Sequence, residues 1–230
     1  MITTTLFGLR RRLGRLVGRK PRVVAAFSFR YDAHLVPDLI ENLRPAVDGY
    51  AAFDDRQATE LFSDEPARRR ALVAAARGMG ARWVLFVDPD ERHEAALAER
   101  MRKLTAVKKP VVWGFNYREL YTPDSYRVDG LWGKKQRYSL FPLRDGGYKR
   151  KLTGLNIYHL RPIIRERRLA RRDLYKRLDP EGAYQAVGYD YLAEEDGLAL
   201  EPIPDGRGYR PAHKEDGRLW AGALDADPPS

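Results

Sequence analysis

The sequence predicts an α/β fold: a mixed, mostly parallel central sheet with helices on both faces, and a smaller antiparallel region rich in aromatic residues. Three observations predict it. Short apolar runs of strand length alternate with helical periodicity over residues 22–109, the pattern of βαβ units with a covered sheet. Two of those runs end in clustered carboxylates. After Pro110 the pattern changes to Tyr-, Trp- and Phe-rich stretches punctuated by Pro-Asp and Asp-Gly turn signals, which read as antiparallel strands.

Taken in order, residues 1–21 read as a basic leader. Leu6, Leu9, Leu13 and Leu16 share one helical face among arginines, so a helix on an anionic membrane surface and a loosely ordered solvated arm are both expected readings. Residues 22–29 read as a first buried strand. Leu35, Leu39, Ile40 and Leu43 then fall at helical spacing, with Pro37 in the first turn, where proline is tolerated. Residues 49–53 form a second strand that ends in Asp54-Asp55. Glu65–Met79 reads as an Ala/Arg-rich helix, with Pro66 at its start and Gly78 and Gly80 at its end. The third strand, Ala81–Val87, stops at Asp88-Pro89-Asp90-Glu91, because proline cannot donate to the ladder. A helix over His93–Leu104 completes this half. Residues 110–212 follow as the second half of a single domain over 22–212. That half holds strands over Val111–Tyr121, Tyr126–Phe141 and Leu155–Leu160, then a strongly basic helix, Arg161–Leu178. Residues 213–230 read as a flexible tail.

The totals bound the function. The chain has 230 residues, 43% hydrophobic and 32% charged, as in a soluble globular protein. No apolar run is long enough to span a bilayer, and no signal-peptide core is present, so a cytoplasmic location is expected. The absence of cysteine leaves any metal to oxygen and imidazole ligands. The net charge of +10 implies an anionic partner. No helix-turn-helix, zinc-finger or RNA-recognition pattern is present, so no specific nucleic acid is expected.

In a parallel sheet the two acidic clusters project from the same edge, where such sheets bind ligands. A divalent cation would offset the repulsion among Asp88, Asp90 and Glu91. The alternative is an acidic first turn of the next helix. No Gly-rich phosphate loop follows the first strand.

The succession VVAAFSF, Asp54-Asp55, RRRALVAAARGMGA and WVLFVDPDE resembles the family 2 nucleotide-sugar-dependent glycosyltransferases of the GT-A fold. NIYHL, RRDLYKRLDP and GYDYL extend the resemblance to roughly residues 22–211. The resemblance implies sugar transfer, with inversion, from a nucleoside-diphosphate sugar to a carbohydrate, lipid-linked or protein acceptor, assisted by Mn²⁺ or Mg²⁺. It implies that Asp54, Asp55 and Asp88 contact the donor nucleotide, and that Asp90, with Asp88 and His159, binds the metal. By residue chemistry alone His159 reads as a half-buried strand histidine. Arg69, Arg70, Lys134, Lys135 and Arg161 are candidates to neutralise the diphosphate, Arg70 being assigned to the donor. The sequence departs from the family where its acidic motif should supply the base, since Tyr148–Tyr158 holds no carboxylate. The candidates are then Glu119, Asp124, Asp129 and Asp145. Asp129 is preferred for its aromatic flanks, against a plain Asp-Gly turn. A groove lined by Trp113, Tyr117, Tyr121, Tyr126 and Trp132 stands against the reading of these aromatics as core. Two other functions compete: nucleotidyl or phosphoryl transfer on a related scaffold, and a non-catalytic binding protein.

Overall fold

The computed structural model describes residues 6–10, 23–30, 32–56, 65–144, 146–182 and 188–214. The elements in chain order are β1 (Leu6–Arg10), β2 (Val23–Phe29), α1 (Val36–Leu43), β3 (Gly49–Asp54), α2 (Glu65–Gly78), β4 (Trp83–Phe86), β5 (Glu91–His93) and α3 (Leu97–Thr105). They continue with β6 (Val111–Thr122), β7 (Ser125–Arg127), β8 (Gln136–Pro142), β9 (Lys149–His159), α4 (Arg165–Leu178) and β10 (Leu200–Pro202). Single 3₁₀ turns at Ala33–Leu35, Trp132–Lys134, Arg161–Ile163 and Asp190–Leu192 connect them.

The first half folds as its periodicity dictates. Successive strand residues face opposite sides of a sheet. Val23, Ala25 and Phe27 of β2 therefore join Leu39 and Leu43 of α1 and Met101 and Leu104 of α3 in one core. Val24 and Ala26 join Leu72 and Ala76 of α2 in another. Small residues let α2 lie close, and Gly80, at φ 80°, takes the left-handed backbone that closes the helix end. Strands β3, β2 and β4 run parallel, so their carboxyl ends form one edge.

The second half is not a separate region. The described strands form one ten-stranded sheet, in which β8 adds antiparallel to β4 and β6 adds antiparallel to β8. Among the pairings, β2–β3, β2–β4 and β6–β9 are parallel; β1–β3, β4–β8, β5–β9, β6–β7, β6–β8 and β7–β10 are antiparallel. The sheet is therefore largely antiparallel. This overturns the mostly parallel Rossmann-like sheet, and with it the membership in the GT-A glycosyltransferases that the motifs suggested. The physical reason lies in the connections: a short turn folds β7 back on β6, as short turns join antiparallel strands, and β8 then returns between β6 and β4, antiparallel to both.

Three local expectations also change. Residues 6–10 form an edge strand antiparallel to β3 rather than a helix; the rest of the leader and residues 215–230 of the tail lie outside the described residues. Glu91 does not begin a helix. It starts β5, which pairs antiparallel with the end of β9. β9 is longer than the strand expected at Leu155–Leu160, and its pairing with β6 shifts register between Gly114 and Asn116. Gly154, at φ 75°, takes the backbone that this bulge requires. Beyond the bulge, β9 delivers His159 to the edge where β2, β3 and β4 end. Among the described residues no helix is long and apolar enough to cross a membrane.

Candidate functional site

The acidic turn after β4 is held from within. The Glu91 backbone N–H donates to the Asp88 carbonyl at 3.0 Å, and the Asp88 N–H donates to Glu91 Oε2 at 3.0 Å. Arg137 of β8 ties Asp88 and Glu91 together, at 2.7 and 2.5 Å. Burial pushes the Glu91 carboxyl up to about 7, against the pull of Arg137. Arg92, fully buried, donates to the Pro89 and Glu91 carbonyls at 2.8 Å each and to that of Leu35. These bonds from β8 and from within the turn fix the positions of Asp88 and Glu91.

Asp90 lies at the centre of the site. It is 4% exposed, and its Oδ2 accepts from Arg161 Nε at 3.0 Å and from His159 Nε2 at 3.2 Å. His159 Nδ1 donates to Glu119. Glu119 also accepts from Lys135 Nζ at 3.0 Å. Burial works to raise the Asp90 carboxyl, but Arg161 and His159 outweigh it and hold it well below the usual range. Burial works to lower His159, but Glu119 and Asp90 raise it to about 9. Burial likewise opposes ionisation of Glu119, and His159 and Lys135 bring it down to about 2. His159 is therefore an imidazolium clasped by two carboxylates. The Asp90 Oδ1 atom is buried and has no hydrogen-bond partner among the described residues.

A cavity of about 270 Å³ opens at the carboxyl ends of β2 and β4. Asp32, Asp55, Asp88 and Asp90 line it together with Arg30, Arg68, Arg161, Arg167, Arg171 and Tyr175. Burial raises Asp32 to about 7, with Asp90 and Asp88 adding to the effect. Asp55 is paired with Arg68 at 2.6 Å. A second cavity of about 210 Å³ shares Arg161 and Arg171 with the first and is walled by Tyr117, Tyr121, Trp132 and Tyr191, beside Glu119 and His159. The Asp90–His159 contact lies between the two.

The residues singled out in the sequence distribute as follows. Asp55, Asp88 and Asp90 line the first cavity, and His159 lines the second. Asp54 turns to Arg56 at 2.6 Å. Arg70 is exposed on α2 and lines neither cavity. The Arg69 guanidinium stacks 4.2 Å over the Phe86 ring. Lys134 is exposed, whereas Lys135 sits 3.9 Å over Trp132. Of the candidate bases, Asp129 receives two bonds from Arg127, at 2.8 and 2.9 Å, and lines neither cavity. Asp124 accepts from Thr122 at 2.6 Å, Glu119 belongs to the histidine clasp, and Asp145 lies outside the described residues. Trp113 donates to the Leu104 carbonyl at 2.9 Å, and Tyr126 packs in a core with Leu120 and Tyr158; neither lines the aromatic cavity.

Asp32, Arg137, Arg167 and Arg171 were missed. Asp32 carried the same signal as Asp54-Asp55, an acid just past a buried strand. Arg167 and Arg171 stand four apart and share a helix face. Nothing in the sequence marked Arg137.

The chain matches no protein-family model, and no curated protein matches it. The function must therefore be read from the site. Among the described residues no group of three or more His, Cys, Asp or Glu side chains is disposed to hold a metal ion. The reason is local: Arg161 and His159 occupy Asp90 Oδ2, and Glu119 occupies the other ring nitrogen of His159. With neither the scaffold nor a metal cluster, the metal-dependent glycosyltransferase is withdrawn, as are its degenerate form and a nucleotidyltransferase on a related scaffold. What the arrangement can do is neutralise an anion with arginines and accept hydrogen bonds on carboxylates, side by side.

Proposed function

We propose that the cleft binds a phosphorylated, hydroxyl-bearing small molecule. Its phosphate meets Arg161, Arg167 and Arg171, and its hydroxyls donate to Asp90 and Asp88. The observation that carries this reading is the lining of the cavity, where Asp88 and Asp90 stand beside Arg161, Arg167 and Arg171; the Oδ1 atom of Asp90 is buried without a partner among the described residues. An unsatisfied buried acceptor costs about 1–3 kcal/mol, and a ligand hydroxyl would relieve that cost once the Asp90 carboxylate turns to meet it. Arginine forks suit phosphate by shape as well as charge. A free anion alone would meet the arginines but leave the carboxylates Asp88 and Asp90 without a donor. The ligand must therefore bring donors as well as charge, as nucleotides and sugar phosphates do.

A thermal-shift panel tests this with inorganic phosphate, a sugar 1-phosphate, a nucleoside and a nucleoside diphosphate. Each is measured in a chelator and again with Mg²⁺ or Mn²⁺, so the divalent cation expected from the sequence enters as one arm of the experiment. The hydroxyl-bearing phosphates are expected to raise the melting temperature, and inorganic phosphate and the nucleoside to do so far less. Asp90→Asn is expected to weaken the hydroxyl-bearing ligands about tenfold or more, the scale of a charged hydrogen bond. No shift with any phosphorylated ligand, with or without the cation, would contradict the reading.

A further inference from the structure

The pole of the sheet opposite the cleft is strongly basic. Register fixes its position: Trp83 at the start of β4 pairs with Pro142 at the end of β8, and Val111 at the start of β6 pairs with Lys149 at the start of β9. These ends lie together at the amino side of the parallel strands, with the cleft at their carboxyl side. Lys108, Lys109, Arg144, Lys149, Arg150 and Lys151 surround them, all exposed. None forms an ion pair with a described residue. Arg102 and Lys103 add the same sign at the end of α3, where a helix dipole favours cations. The dipole does not explain Lys108-Lys109 in a loop or Lys149–Lys151 in a strand.

Two apolar side chains stand within this field: Tyr148 is 45% exposed and Leu152 is 43% exposed. They bracket the three consecutive cations of β9. A tyrosine beside cations suits the interface of a bilayer, where the ring enters the headgroup layer and the cations meet lipid phosphates. A nucleic acid backbone offers an exposed leucine nothing comparable. We infer that this pole docks the protein on an anionic phospholipid surface, with the cleft at the far end facing the aqueous side. The same charges also lie on a strand edge that no described strand covers, and charged edges deter pairing between molecules. The experiment separates that role from docking.

The full chain is sedimented with vesicles of phosphatidylglycerol and phosphatidylcholine, and with phosphatidylcholine alone, at low and high salt. Salt-sensitive binding to the anionic vesicles only is expected. Removing three cations in Lys149→Gln/Arg150→Gln/Lys151→Gln, with residues 1–20 intact, is expected to weaken partitioning about a hundredfold. Leu152→Ser is expected to weaken it severalfold and to leave binding to duplex DNA unchanged. Circular dichroism melting confirms that each variant is folded. Equal binding to neutral vesicles overturns the inference. So does a triple variant that partitions like the wild type, including one that self-associates and so reveals an edge guard alone. Binding of duplex DNA without binding of anionic vesicles overturns it in favour of nucleic acid.

Discussion

His159 keeps its charge at neutral pH because Glu119 and Asp90 clasp its ring from both sides. That charge has a consequence for stability. The raised value of about 9 in the folded state, against about 6.5 in the unfolded chain, means that the folded state holds the proton more tightly. The stabilisation is complete below about pH 6.5 and is lost as pH rises through about 9. Glu91 and Asp32, each raised to about 7, lose their contributions as pH rises from about 4 through about 7, so His159 dominates above about pH 8. Urea unfolding is expected to show stability falling between about pH 8 and 9, with a slope approaching 1.4 kcal/mol per unit. His159→Gln is expected to flatten that slope. An unchanged slope in the variant would remove the charge from His159. Buried His93 behaves oppositely: burial lowers it to about 3, so its contribution is present above about pH 6.5 and lost as pH falls toward 3. Titration of the His159 ring by NMR in Asp90→Asn is expected to show a lower value than in the wild type, because one of the two carboxylates is gone.

At the scale of elements, Gly154 sets how β9 reaches the cleft. Its φ of 75° admits a side chain only with strain, although nothing lies within 4 Å of a Cβ placed there. Gly154→Ala is therefore expected to cost about 1–2 kcal/mol by conformation alone, measured as a shift in the denaturant midpoint. A neutral result would mean that the bulge relaxes. The bulge was invisible in the sequence, since a glycine between Thr153 and Leu155 also fits an ordinary strand. By contrast β2, α1, β3, α2, β4 and β6 were legible, because Leu39 and Leu43, or Val23, Ala25 and Phe27, carry the periods that burial imposes. Glu91–His93 misled because acids suit a first helical turn, whereas here tertiary pairing with β9 overrides that local preference. Leu6–Arg10 misled for the same reason: leucines at helical spacing say nothing of the free edge that β3 offers.

For the molecule as a whole, strand existence was readable, but strand direction was not. An aromatic run such as Val111–Tyr121 has the same pattern whether its neighbour runs parallel or antiparallel. The short turn between β6 and β7, and the return of β8 between β6 and β4, decided for antiparallel pairing, and the family resemblance fell with that choice. The carboxylates Asp55, Asp88 and Asp90 did gather at the end of the sheet where their strands stop. Of their counter-charges only Arg161, in the turn before α4, was foreseen; Arg137, Arg167 and Arg171 were not, because they come from β8 and α4, far along the chain. These arginines turn an acidic edge into a cleft of both signs, poised between a ligand's phosphate and its hydroxyls. The most direct measurement is calorimetric titration of a nucleoside diphosphate into the wild-type chain and into Arg167→Gln/Arg171→Gln. The account predicts one site in the wild type and binding weakened tenfold or more in the variant, with both chains equally folded. Equal affinity in the two, or no heat of binding in the wild type, would contradict it.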